Sequence, residues 1–204
     1  MGQLIESRFR ILDFDEDDAQ MTDIADVGQP VYVAKELDEY SQSLQSKIDD
    51  LEVGYVVEAE IQSESVTRQD SFWKFVDLKI VDRTRFHFIE DASTHPAVAD
   101  KLFEGAKKSD GNSARTALAS NGEPIGYITV AETQGGSFWS GLRMGVNSHE
   151  FDLQNLEELD SPPFEAIYTR DSEEGRLVFY HFCEKGTEIA KTIISANSPT
   201  DSNR

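Results

Sequence analysis

Between Phe72 and Phe88 the chain is committed to extended structure. Val76, Leu78 and Ile80 alternate with Asp77 and Lys79, and Phe86 and Phe88 resume the same parity. Side chains two apart share a face only in a strand, so this period predicts one long strand, or two joined by a bend near Asp82. One face is oily and the other carries Lys79, Arg83, Arg85 and His87. The same alternation runs through 55–62, where Tyr55, Val57, Ala59 and Ile61 oppose Val56, Glu58, Glu60 and Gln62. With the polar connection 63–71 between them, the two runs are expected to pair as a hairpin, bringing Glu58 and Glu60 opposite Lys79 or Arg83.

Around this hairpin the elements fall into two groups. Ser7 to Leu12 alternates Phe9 and Ile11 with Arg8 and Arg10, a short strand with a basic outer face. The acidic block Asp13–Asp18 reads as a loop and Pro30–Ala34 as a second strand. Leu37, Tyr40, Leu44, Ile48 and Leu51 line one face of a helix over about 38–51, ended by Gly54.

Beyond Glu90 the pattern changes. A turn at 91–96 leads into a helix with Val98, Leu102, Phe103 and Ala106 on its apolar side, followed by a loop over 107–113 and a helical turn over 114–120. A turn at 121–124 precedes a strand at 126–132. Gly135 and Gly136 mark a loop before a short helix, capped by Ser137, that contains Phe138, Trp139 and Leu142. Strands 164–170 and 176–183 form a hairpin about Asp171–Gly175.

The expected fold class is therefore α+β. Residues 1–90 form a β-rich part, a small barrel or strongly twisted antiparallel sheet with one helix inserted. Residues 91–195 form an α+β part with an antiparallel sheet, and 196–204 a disordered tail.

Charge narrows the setting. Nineteen Lys and Arg stand against 39 Asp and Glu, a formal net charge of -20, and the carboxylates are spread along the whole chain. Such self-repulsion destabilises a compact state at low salt, whereas at about 1 M salt the Debye length is roughly 3 Å and most of it is screened. With 38% hydrophobic residues a core is still available. The expectation is a cytoplasmic protein suited to a salt-rich interior; an acidic mimic that binds basic partners is the alternative. Cys183, the single cysteine, rules out an internal disulfide and fits a reducing compartment. No apolar run is long enough to span a bilayer and no signal peptide is apparent.

Arg8, Arg10, Lys79, Arg83, Arg85 and His87 gather positive charge in a chain that otherwise avoids it, and Trp73 lies close by. Guanidinium groups grip phosphate and aromatic rings stack on bases, so this edge is the candidate contact for a protein or a single-stranded nucleic acid. The competing and favoured explanation is cross-strand ion pairing with Glu58, Glu60 and Asp77. His181 and Cys183 share a strand face about 7 Å apart, a poor start for a nucleophile pair and an ordinary setting for a buried thiol. The four histidines lack the spacing of a zinc site, and no catalytic residue, metal or cofactor is assigned.

Several segments together carry a likeness: Arg8-Phe9-Arg10, Pro30–Val33, Gly54–Ala59, Phe75–Leu78, Arg83–Phe86, Asn112-Ser113, Gly126–Ile128 with Ala131-Glu132, and Pro163–Glu165. The chain resembles an uncharacterised family of small acidic proteins from halophilic archaea, a resemblance that spans most of its length and implies no activity. The run 54–88 is also similar, at the level of fold, to the opening hairpin of an OB-type barrel, although the order of strands, helix and loops read here is not the standard one. The leading expectation is a non-enzymatic binding module that uses the basic edge. Its rivals are an enzyme with a site between the two parts, drawing on Asn112, Arg115, Glu132 and His181, and a homodimer held by a strand edge.

Overall fold

The computed structural model describes residues 2–26, 28–63, 73–108, 113–133 and 136–197. Phe72, Asn112, Gly135, the connection 64–71 and the tail from 198 lie outside them. The fold is α+β, with ten strands in two sheets and five helices among the described residues. The chain divides into two compact units, Met1–Arg85 with Ser140–Glu150, and Phe86–Trp139 with Phe151–Arg204.

The first unit is a closed five-stranded barrel. Its strands are β1 (Leu4–Phe14), β2 (Asp18–Asp23), β3 (Val31–Ala34), β4 (Val56–Ser63) and β5 (Trp73–Asp82), in the order β1-β2-β3-β5-β4. Helix α1 (Gln42–Asp49) lies between β3 and β4 in sequence. β1 closes the circle because it is long enough to pair twice: Leu4–Arg10 with β4 and Phe9–Phe14 with β2, with an irregularity between Ile11 and Asp13 that bends it. Inward side chains fill the interior, among them Phe9, Ile11, Met21, Val33, Val57, Ile61, Phe75 and Leu78.

Ser41 caps α1, its hydroxyl accepting from the Leu44 N–H at 3.2 Å, so the helix starts later than its apolar periodicity predicts. Leu44 and Ile48 then point into the barrel core. The Tyr40 hydroxyl donates to the Ala34 carbonyl (2.8 Å) and accepts from the Phe75 N–H (3.0 Å), securing the end of the short parallel β3–β5 ladder.

Two expectations for this unit are corrected. The acidic block is not one loop: β1 runs to Phe14 and β2 begins at Asp18. Between them the Asp15 carboxylate accepts the N–H groups of Asp17 (3.0 Å) and Asp18 (2.7 Å), so the acids make a tight Asx turn. Val76, expected inside, is 43% exposed. The β4–β5 register shifts there, so that Phe75 and Leu78 both face inward and Val76 is the extra residue of a bulge.

The second unit carries the sheet β6-β9-β10-β8-β7. Its strands are β6 (Arg85–Ile89), β7 (Ser113–Ser120), β8 (Glu123–Glu132), β9 (Glu165–Asp171) and β10 (Arg176–Phe182). The 72–88 stretch is thus divided between two sheets. An Asx turn separates them, Asp82 accepting from the Thr84 N–H (2.8 Å) and hydroxyl (2.9 Å). Helices α2 (Ala97–Lys108) and α5 (Glu188–Asn197) cover one face, packing Ala99, Phe103, Ala190 and Ile193 on Ile128, Val130, Ile167, Val178, Tyr180 and Phe182. On the other face the rings of Phe86, Phe88, Tyr168 and Phe179 meet. All of β10 is buried. α3 (Gly136–Arg143) and α4 (Glu150–Glu157) complete the elements. No helix is long and apolar enough to cross a membrane, among the described residues.

Residues 114–120, expected as a helical turn, form β7 instead. Asn121 (φ 54°) and Gly122 (φ 88°) both adopt positive φ, which makes the two-residue hairpin turn that joins β7 to β8. α5 extends to Asn197, two residues into the stretch expected as tail.

Candidate functional site

On the outer face of the barrel, β1, β4 and β5 place two rows of charge side by side. Arg8, Glu58 and Lys79 stand opposite one another in register, as do Glu6, Glu60 and Asp77. Between the rows runs a groove of about 500 Å³. The Arg8 guanidinium donates to Glu58 at 2.7 Å and holds that carboxyl below its ordinary pKa; Lys79 is 4.0 Å from the same group. Lys47 on α1 reaches Asp77 at 2.7 Å and likewise lowers it. The groove therefore holds four carboxylates against two cations of its own strands.

The other sequence-derived candidates do not join this face. Arg85 pairs with Glu52, its Nη2 donating at 2.9 Å, and Arg83 lies over the Tyr55 ring at 5.4 Å. Trp73 is half-buried and packs against the barrel core. His87 belongs to the second unit, where it meets the buried Glu165 at 2.9 Å; Glu165 also accepts from the Gly186 N–H at 2.7 Å.

Arg10 departs furthest from expectation. It is 2% exposed, not part of an outer basic face. Its Nε and Nη2 donate to the two oxygens of Glu150 at 2.7 and 3.0 Å, and Nη1 donates to the Gly54 carbonyl at 2.6 Å. Glu150 ends the segment Ser140–Glu150, which lies over the outside of β1 and β2. A Cβ on Gly145 would sit 2.5 Å from Leu12 Cδ1 and 2.9 Å from Thr22 Cβ, which measures how closely the backbone approaches. Arg143 donates to Asp13 at 2.8 Å, and the Gln20 amide donates to the Arg143 carbonyl at 3.4 Å. A cavity of about 10 Å³ is left beneath, room for one water at most.

Beyond this segment the face opens. Tyr32 on β3 stands opposite Gln20 in register and is 44% exposed; Met144 and Val146 of the covering segment are also exposed. Tyr32 is not legible in the sequence, because Pro30–Ala34 is too short to assign its faces without its partner β2.

In the second unit, His181 on β10 is buried, its ring edge-on to Tyr168 with centroids 5.5 Å apart. Its Nε2 has no hydrogen-bond partner among the described residues. Nearby, Arg115 donates to Thr129 (2.9 Å) and to Asp152 (2.6 Å). Burial pushes the His181 pKa down to about 4; Asp152 works against this and Arg115 with it. Glu132 is not part of this group. It pairs with Arg176, five residues along β10 from His181, so it is roughly 17 Å away and on the opposite face. Burial raises the Cys183 thiol, which is the wrong direction for a nucleophile. Among the described residues no three His, Cys, Asp or Glu are placed to hold a metal ion.

His181 makes a pH-dependence testable. Unfolded, its imidazole takes a proton near pH 6.5; folded, it resists until about pH 4. Between those values the unfolded state binds more protons, so stability falls as pH is lowered through that window. His181→Gln is expected to flatten the curve of Tm against pH between 6.5 and 4 relative to wild type. Parallel curves would show that this imidazole does not titrate on unfolding.

A family model described as a family of unknown function, DUF6663, matches residues 1–199. No curated protein and no solved structure matches the chain.

Proposed function

We propose that this chain, which belongs to the family matched above, is a non-enzymatic binding module suited to concentrated salt, its first unit an OB-type barrel that contacts a protein partner. The observation that carries this reading is the connectivity of the barrel. Its strand order is β1-β2-β3-β5-β4, β3 and β5 run parallel, and a helix separates β3 from β4. Five-stranded barrels of the OB type take their ligands on strands 2 and 3 and on the neighbouring loops. On this reading β4 and β5 are the last pair of the barrel and not its opening hairpin.

The chemistry of the surface favours a protein over a nucleic acid. Arg8, Arg10, Lys47, Arg85 and Arg143 each have a carboxylate within ion-pair distance, so a polyanion would have to displace those carboxylates to gain phosphate contacts. The turn between β1 and β2 is itself acidic, at Asp15, Glu16 and Asp17. Tyr32, Met144 and Val146 are instead exposed large apolar side chains of this unit, which together with its acidic charge suit a partner surface that is apolar at its centre and basic around it. Lys79 stands 4.0 Å from Glu58, a looser contact than that of Arg8 with the same carboxylate.

Affinity capture from native extract in molar salt, with nuclease treatment, tests this. Wild type is expected to retain a protein partner that Tyr32→Ser loses, and a labelled single-stranded oligonucleotide is expected not to saturate either. Saturable oligonucleotide binding at micromolar concentration, or an identical retained set for both proteins, would overturn the reading.

A further inference from the structure

β7 is an edge strand of the second sheet, and its own sequence lacks the devices that keep such edges from pairing. Among the described residues its one neighbour is β8. Among the described residues no backbone hydrogen bond reaches its open side. Eight residues long, Ser113 to Ser120, it holds no proline, no lysine and no carboxylate. The β7–β8 register shift places its extra residue, Ile125, on β8, so β7 itself is not bulged. Its single charge, Arg115, does not guard the edge: the guanidinium turns over the sheet to Thr129 and Asp152. Natural edges are normally blunted by charge, proline, bulging or cover, and an edge with none of these is a template for another strand.

We propose that β7 pairs antiparallel with β7 of a second copy of this chain, joining two five-stranded sheets into one of ten about a two-fold axis. Self-association of a chain of net charge -20 must use a surface poor in carboxylates, and this strand has none. The same lack leaves the edge without groups to draw in a basic peptide, which favours a second copy as the occupant. Side chains opposite one another must share a face, so the two-fold axis has to pass through a residue and not between two. Centred on Ala117, the pairing sets Ala117 against its own copy, Thr116 against Leu118 and Arg115 against Ala119. Small groups meet small or medium ones and no like charges are opposed. Helix α2 packs on β8 and β7 from one face, through the core that Leu118 joins.

Sedimentation of the full chain in molar salt is expected to give twice the chain mass. Ala117 is exposed, so Ala117→Lys leaves the unit intact while setting two cations against each other at the axis; sedimented at the lowest salt at which the chain stays folded, the dimer should weaken tenfold or more. Ala117→Cys gives a second, independent readout. Directly opposed strand residues have Cα atoms about 4.5–5.5 Å apart, within disulfide range, and the native Cys183 is buried. Mild oxidation should therefore link Ala117→Cys into covalent dimers, whereas Ser120→Cys, well away from the axis, should not link. A monomer at every concentration, or a dimer that survives Ala117→Lys and gives no cross-link at position 117, would overturn the proposal. The first outcome would leave the edge to a strand from another protein.

Discussion

Replacing Gly126 by alanine is expected to destabilise the second unit by roughly 3–5 kcal/mol, although it adds one methyl group. The residue sits on β8 at φ 148°, a backbone conformation that L side chains rarely adopt. A Cβ there would lie 1.9 Å from the carbonyl oxygen of His181, 2.9 Å from its carbon and 3.0 Å from the Cα of Phe182. The obstacle is backbone, and it belongs to β10, which is buried along its whole length and hydrogen-bonded on both sides. Relief by rotating a side chain is therefore closed, and β10 would have to move against two neighbours. The close approach comes from the bulge, since Ile125 is looped out between Gly126 and Pro124 and its carbonyl accepts from the Cys183 N–H at 3.0 Å. Gly122→Ala is the control. It also has positive φ, 88°, but open space around it, so its cost is strain alone, about 1 kcal/mol. Denaturant unfolding in molar salt, followed by intrinsic fluorescence, should separate the two variants clearly. Equal midpoints would mean that β8 and β10 do not approach as described.

These glycines also mark where the sequence could and could not be read. The hairpins of β4 with β5 and of β9 with β10 were legible because apolar and polar residues alternate along them and turn residues separate them. β7 was not, because Ala, Leu and Ser carry no strong period of two and Ala and Leu favour helix. The usable signal was Asn121-Gly122, which demands a hairpin turn and hence a strand on either side. β2 was hidden differently. Ala19 and Met21 do alternate inward, but the acids of Asp13–Asp18 dominate the window around them. Losing β2 removed the strand order on which the barrel depends, and with it the significance of Tyr32. The bulges at Val76 and Val81 cannot be anticipated from hydrophobicity, since both residues are apolar and both are exposed. The pairing of Lys79 with Glu58 follows from the register of the hairpin, whereas Arg8 reaches the same carboxylate from β1, which lies outside it. The burial of Arg10 was not anticipated, because its partner Glu150 lies 140 residues away.

That pair leads to the second large effect. Removing Glu150 is expected to cost roughly 3–5 kcal/mol, and removing Arg10 considerably less. The two are unequal because their surroundings differ: the Arg10 side chain is 2% exposed and that of Glu150 is 30% exposed. Glu150→Ala leaves a buried guanidinium, which cannot lose its proton, without its carboxylate and held by the Gly54 carbonyl. Arg10→Met withdraws the charge, refills most of the volume with an apolar stem and leaves a carboxylate that can turn toward solvent, at a cost of about 1–2 kcal/mol. In the double variant the buried charge is gone as well, so Arg10→Met should rescue most of the loss caused by Glu150→Ala, a coupling read directly from a double-mutant cycle. The pair is shielded from ions, so the effect should persist in molar salt, where the exposed Arg8–Glu58 pair is screened and its removal should leave the midpoint near that of wild type. If Glu150→Ala and Arg10→Met proved equally mild, Arg10 would have to be solvated. The segment Ser140–Glu150 would then not seal the outside of β1 and β2, and that face would again be open to a ligand.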